Sequence, residues 1–434
     1  MRRGGKAFYA LDVSDPDTPK FKWKIEKGTA GSDYAEMGQS WATANVGNLL
    51  VNGVNTPVFV IGGGYNGDDD GDNVGDLGKD AKNRSTRAGA TPSVGTDDDE
   101  GNAIFVGNLD TGALIWKATF GTSTAYNAIN KTLTDPNLKD SFADALIAAD
   151  TDGNGYLDRA YAGDTGGVLW RVDFGGLVDH DSDAATSDIL VIDDPQHWQI
   201  TRVLSVGRHS GGTPTAANDR RFFNQPDIAQ TRDATGAFDA VIIGSGDRED
   251  PNGELVSNRL YVYKDRNTAV GAPPTTVTVE TDLEDITTSC VVETSCTLGA
   301  NISNGWYLQL TSTGEKNLAP ALTAGGNVFF TTFTPATASG TCSLSEGSGR
   351  LYAVSLQNGS AQLDFDSSNN VTASDGSTTV VPDRADELGS GGIPVQVVPL
   401  GGGKVLAQGQ EVGENIVDTG GQTSFKTYWH ESYQ

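Results

Sequence analysis

The sequence predicts an all-β fold, an irregular, quinoprotein-like β-propeller of about seven blades with long inserted loops. Three observations carry this. Glycine supplies 55 of the 434 residues, and Thr, Asp and Asn are frequent, as in short strands joined by turns. No long stretch shows helical periodicity. A strand phrase with a central aromatic then recurs along the whole chain: KAFYALD around Tyr9, NAIFVGNLD around Phe105, GVLWRVD around Trp170, NRLYVYKD around Tyr261 and GRLYAVS around Tyr352.

Each phrase alternates with period two and reads as a strand. Turns then lead to a second aromatic strand, as in DPDTPKFKWKI at Trp23 and DTGALIWKATF at Trp116. Small-residue strands precede the phrases: TPVFVIGGG before the second, FDAVIIGSGD before the fourth and GNVFFTTF before the fifth. A further short strand is expected ahead of each, at SWATANV, FNQPDIA, LAPALTA and, late in the chain, IPVQVVP. Four antiparallel strands per repeat describe a propeller blade. The aromatic anchors lie too far apart for minimal blades of roughly 40 to 50 residues. Undetected blades and rim insertions are both expected, the insertions at 65–101 and 265–303, within one domain over 1–434.

The formal charge of −27 argues against nucleic acid or an anionic membrane as the main partner. No run of 18 apolar residues is present, so no membrane-spanning helix is expected. The start, MRRGGKAFYALDV, lacks the apolar core of a secretion signal, which suggests upstream sequence. Three cysteines, Cys290, Cys296 and Cys342, show no metal spacing; Cys290–Cys296 is the shortest closure, but spacing alone does not fix the pairing.

The strongest motif is DTDGNGYLD. Asp150, Asp152, Asn154 and Asp158 supply side-chain oxygens at positions one, three, five and nine, the Tyr156 carbonyl falls at seven, and Gly155 sits at the bend. That is the oxygen-rich pattern of a Ca²⁺ loop. Position twelve is Tyr161 and not the Glu of a helix–loop–helix site, and the flanks read as strands. A weaker match, NGDDDGDNVGD, offers Asp68, Asp70, Asp72, the Val74 carbonyl and Asp76 as a second Ca²⁺ set, with Asn73 at the bend. DHDSD at Asp179–Asp183 and TDDDE up to Glu100 read as solvated loops. The four histidines show no paired spacing and no GxSxG elbow is present, so no catalytic set is expected. The seven tryptophans read as strand packing.

Taken together, several segments resemble the C-terminal β-propeller of the PilY/PilC type IV pilus biogenesis factors. They are RRGGKAFYALDVSDPDTPKFKWKI, FVIGGGYN, GNAIFVGNLDTGALIW, DTDGNGYLDRAYAGDTGGVLWRVDF, RRFFNQPDIA, VIIGSGDRED, GWYLQL, VFFTTFTPATASGTC and KTYWHES, in the family's order across nearly the whole chain. The resemblance implies a non-enzymatic, exported protein of the pilus tip, cell surface, outer membrane or periplasm. Its implied partners are pilus components, such as minor pilins or the pilus machinery, and host or abiotic surfaces. It further implies that calcium held by Asp150, Asp152, Asn154, Asp158 and the Tyr156 carbonyl sets pilus extension against retraction, and so twitching motility and adhesion. The family's N-terminal adhesive module and secretion signal have no counterpart in this sequence, and the acidic tract at Asp68–Asp76 departs from the family pattern. Two alternatives predict different behaviour: a quinone-dependent dehydrogenase built on a similar propeller, or an adhesin whose calcium is only structural.

Overall fold

The computed structural model describes residues 5–66, 97–178, 189–291, 296–336 and 346–363, together with 365, 371–372, 378–379, 382–388, 391–400, 404–407 and 410–412. The fold is all-β, and its described helical turns are short 3-10 segments such as Pro195–His197 and Ala300–Ser303. The chain divides into two compact units. One comprises Met1–Asn83, Pro92–Gln225 and Asn267–Val277, and the other Arg84–Thr91, Pro226–Arg266 and Thr278–Gln434.

In the first unit a six-stranded sheet runs Asn45–Val51, Val54–Gly62, Ala103–Asn108, Leu114–Phe120, Thr132–Asp135 and Ala125–Asn127. The first four strands are antiparallel neighbours in chain order, as a blade requires. SWATANV was expected to be the leading strand, but the strand begins only at Asn45, at the end of that segment. Its register is fixed by a tight turn at Asn52 and Gly53, both with positive φ (51° and 75°). An Asn-Gly pair suits such a turn because these residues tolerate left-handed backbone at the least cost.

The second large sheet of this unit carries the calcium-loop motif. Ile147–Ala149, Arg159–Gly163, Val168–Asp173 and Gln199–Ser205 are successive antiparallel neighbours. Val58, Val60, Ile104, Val106 and Trp116 from the first sheet share one buried core with Ala160, Trp170 and Val172 from the second, and with Trp198. Trp198 meets Trp116 edge-on at a centroid distance of 6.2 Å and Phe174 at 5.4 Å. These tryptophans are packing residues; Trp116 and Trp170 lie in strands, and Trp198 follows the Pro195–His197 turn. The turn at Gly167 (φ +76°) leaves no room for a side chain, since a Cβ would lie 2.4 Å from the Arg220 carbonyl oxygen. Gly167→Ala is expected to lower stability by about 1–3 kcal/mol, measured by urea unfolding.

In the second unit, Asp227–Asp233, Gly236–Gly244, Arg259–Asp265, Gly305–Gln309 and Glu284–Asp285 form one sheet, and Leu322–Ala324, Asn327–Thr334, Ser348–Ser355 and Ala385–Leu388 another. Their core is built on Trp306, whose indole donates to the Leu356 carbonyl at 3.0 Å, and on Phe330 stacked on Tyr352 at 4.5 Å. Part of the expected insertion at 265–303 is therefore sheet, because Glu284–Asp285 pairs in parallel with Gly305–Gln309. Cys290 and Cys296 form a disulfide, the shortest closure available, while Cys342 lies outside the described residues.

Candidate metal centre

Residues 150–158 form a nine-residue connection between the paired strands Ile147–Ala149 and Arg159–Gly163. The Asp158 amide donates to the Ala149 carbonyl at 2.9 Å and closes the loop at its base. The adjoining Leu157 is buried in the tryptophan core, and its amide donates to the Asn48 carbonyl at 2.9 Å. The strand carrying Asn48 approaches closely because Gly47 has no side chain; a Cβ there would meet Leu157 at 2.8 Å. The loop therefore has a fixed, buried end.

Above that base, ligand oxygens of Asp150, Asp152 and Asp158 come within 4.8 Å of one another. Asp150 accepts from the Gly153 and Gly155 amides at 2.7 and 2.8 Å, and Asp152 accepts from the Asn154 amide at 3.0 Å. Asn154 bridges the bend, with Nδ2 donating to Asp152 at 3.0 Å and Oδ1 accepting from the Tyr156 amide at 2.8 Å. Asp158 Oδ2 accepts from the Thr151 amide and hydroxyl at 2.5 and 2.6 Å. Gly153 and Gly155 have φ of 78° and 90°, which side-chain-bearing residues resist. A carboxylate oxygen has two acceptor sites, so these amide bonds orient the carboxylates and leave acceptor capacity for a cation. The donor set fits an ion that prefers hard oxygen. Burial, opposed by the Thr151 bonds and reinforced by Asp152 and Asp150, pushes the Asp158 carboxyl above the usual range.

The residues after the loop form a tightly bonded turn and strand of their own. Asp164 accepts from the Gly166 and Val168 amides at 3.0 and 2.8 Å and from the Trp170 indole at 2.7 Å. Arg171 makes a two-pronged pair with Asp173 at 2.8 and 2.6 Å, both side chains fully buried. Arg159 and Arg171 also donate to the Asn267 carbonyl at 3.1 and 2.7 Å. The YAGDTGGVLWRVD segment is thus a turn clamp and a buried charge pair directly behind the loop.

No family model matches the chain. A PilY1 homologue of Xylella fastidiosa, described as a type IV pilus biogenesis factor, is 27% identical over 378 residues, covering 83% of this chain and 21% of the relative. PilY1 of Pseudomonas aeruginosa is 30% identical over 183 residues, covering 42% of this chain and 11% of the relative. The solved C-terminal domain of Pseudomonas aeruginosa PilY1 superposes with a TM-score of 0.59 at 18% identity, covering 95% of this chain and 79% of that one. The chain is similar in sequence to PilY1 proteins and shares the fold of the PilY1 C-terminal domain. The predicted β-propeller class agrees with that structural match. The chain spans about a fifth of the Xylella relative's length.

The chain also contains a cluster that sequence spacing did not reveal. The TDDDE run, expected to be a solvated loop, has Asp98 and Glu100 buried. Asp98 accepts from the Ser141 amide at 2.8 Å and the Thr165 hydroxyl at 3.1 Å, while Glu100 pairs with Lys6 and Lys27. Beside it Asp97, Asp140 and His209 bring ligand atoms within 4.8 Å of one another. Burial and the Arg208 charge, against the opposing pull of Asp97 and with smaller contributions from Lys139 and Arg202, hold the His209 imidazole down to about 4, so it is neutral at pH 7. The second predicted calcium set, Asp68 to Asp76, and the DHDSD tract lie outside the described residues.

Proposed function

We propose that this chain is the non-enzymatic, calcium-binding C-terminal domain of a type IV pilus biogenesis factor. Calcium on Asp150, Asp152, Asn154, the Tyr156 carbonyl and Asp158 would set pilus extension against retraction. The observation that supports this reading is the convergence of three carboxylates on a strand-to-strand loop whose base is anchored in the core. Bound calcium supplies positive charge where like charges otherwise repel. The chain's own residues do the rest: Asn154 and the two glycines shape the bend, Thr151 orients Asp158, and Leu157 ties the loop to the neighbouring sheet. Ordering of this loop changes the surface offered to pilus components, minor pilins among them.

The same reading makes the protein exported and surface- or pilus-associated, contributing to twitching motility and to adhesion on host or abiotic surfaces. Among the described residues no helix is long and apolar enough to cross a membrane. It also treats 1–434 as one domain, for which a single cooperative unfolding transition is expected. The Asp68–Asp76 set is tested by stoichiometry, since a second occupied loop gives two calcium ions per chain.

The test in cells is Asp152→Ala in the full-length protein. Calcium-dependent changes in surface pilus number and twitching should disappear while the protein is still exported in normal amount. Unchanged calcium dependence would show that the loop is structural or unused. In a dye-reduction assay with pyrroloquinoline quinone and alcohols, no turnover is expected; turnover would favour the dehydrogenase alternative.

A further inference from the structure

Two fully buried guanidiniums on the loop-bearing sheet, those of Arg159 and Arg171, reach the same stretch of main chain. Arg159 donates through Nη1 to the Asn267 carbonyl at 3.1 Å and through Nη2 to the Thr268 carbonyl at 2.5 Å. Arg171 donates to the Asn267 carbonyl at 2.7 Å and to the Ala269 carbonyl at 3.4 Å. Residues 267–269 themselves are exposed and lie outside the strands, between Arg259–Asp265 and Thr278–Val279. They open the stretch Asn267–Val277, which belongs to the same compact unit as the loop. A surface segment is thus gripped from beneath, at its backbone, by charge-assisted hydrogen bonds.

The two arginines differ in what else they touch. Arg171 is fixed by its paired bonds to Asp173. Arg159 follows Asp158 directly in the chain, and its Nη2 also donates to the Thr151 hydroxyl at 3.3 Å. That hydroxyl in turn donates to Asp158 Oδ2 at 2.6 Å. A hydroxyl has one proton, so with that proton given to Asp158 its lone pairs are what it offers Arg159. The bonds therefore run in one direction, from guanidinium to hydroxyl to carboxylate. One end of this chain is a residue of the calcium set, and the other grips an exposed stretch.

We propose that Thr151 and Arg159 couple the 150–158 loop to residues 267–269, making this exposed stretch the surface that responds to calcium; the coupling presupposes calcium on the loop as proposed above. With Asp158 held by a cation, the Thr151 hydroxyl keeps one orientation and Arg159 keeps its grip on the Asn267 and Thr268 carbonyls. Without a cation the loop carboxylates repel one another, and the relay that starts from Asp158 is held less firmly. Thr151 and Arg159 are positioning residues here, since neither belongs to the ligand set. Coupling is reciprocal, so a pilus component that steadies 267–269 tightens calcium binding by the same factor.

The test reads trypsin cleavage after Arg266, at the start of this stretch, in the full chain with saturating Ca²⁺ or with chelator. A reference peptide in each tube corrects for the protease's own response to calcium, and calorimetry counts the ions bound. Calcium should slow this cut in wild type by at least about tenfold, because cleavage requires the stretch to open locally. Thr151→Val keeps every predicted ligand but removes the hydroxyl; it should still bind calcium, yet be cut at the same rate with and without the ion. Arg159→Lys, which keeps the charge but not the fork that spans hydroxyl and carbonyls, should behave likewise. Thr151→Ser restores the hydroxyl and should restore the calcium effect. Calcium uptake by wild type with no change in cleavage would overturn the coupling and leave the calcium reading standing. Slowing that survives undiminished in Thr151→Val or Arg159→Lys would do the same, whereas no uptake by wild type would overturn both.

Discussion

Calcium at about a hundred times its dissociation constant should stabilise the wild-type chain by about 2.7 kcal/mol, and Asp158→Asn should abolish that gain. Asp158 is only 4% exposed and sits at the base of the loop. Burial, together with Asp152 and Asp150, raises its folded pKa despite the Thr151 bonds. A carboxyl raised in the fold contributes stability below its unfolded pKa and loses it as pH rises through the folded one. An ionised Asp158 is therefore a charge that the calcium-free fold disfavours. The calcium-induced rise in melting temperature should shrink as acidification protonates Asp158. The asparagine variant keeps an acceptor for Thr151 while removing the charge. Its calcium-free stability should equal or exceed that of wild type, an outcome that loop damage would not give.

Trp170→Ala should lower the unfolding free energy by about 3–5 kcal/mol in urea. The ring is fully buried where the six-stranded sheet meets the loop-bearing sheet, and its indole donates to Asp164 at 2.7 Å. Trp170→Phe retains most of the packing but takes one donor from a buried carboxylate, at a cost of about 1–3 kcal/mol. The alanine variant should thus be the less stable of the two. Neither substitution touches the loop carboxylates, so calcium should shift both midpoints by as much as it shifts wild type.

The carboxylate loop at 150–158 was legible because its oxygen-bearing residues recur at alternate positions of one continuous segment and its flanks alternate as strands. Asp97, Asp140 and His209 carry no such signal, since the folded sheets bring them together from distant positions. The same reason explains TDDDE, whose Asp98 is buried only because Ser141 and Thr165 meet it. The strand beginning at Asn45 was misplaced toward Trp41, although the Asn52–Gly53 pair marked its hairpin turn. Local turn chemistry was the stronger evidence there. Glu284–Asp285 was hidden for another reason: a two-residue parallel edge strand has no periodicity to detect.

If the convergent carboxylates of Asp150 to Asp158 hold calcium, calorimetric Ca²⁺ titration must separate wild type from Asp152→Ala. One ion bound at the loop by wild type and lost from the variant, with melting temperature in chelator unchanged, is the expected result. Equal affinity and stoichiometry in the two proteins would contradict the assignment.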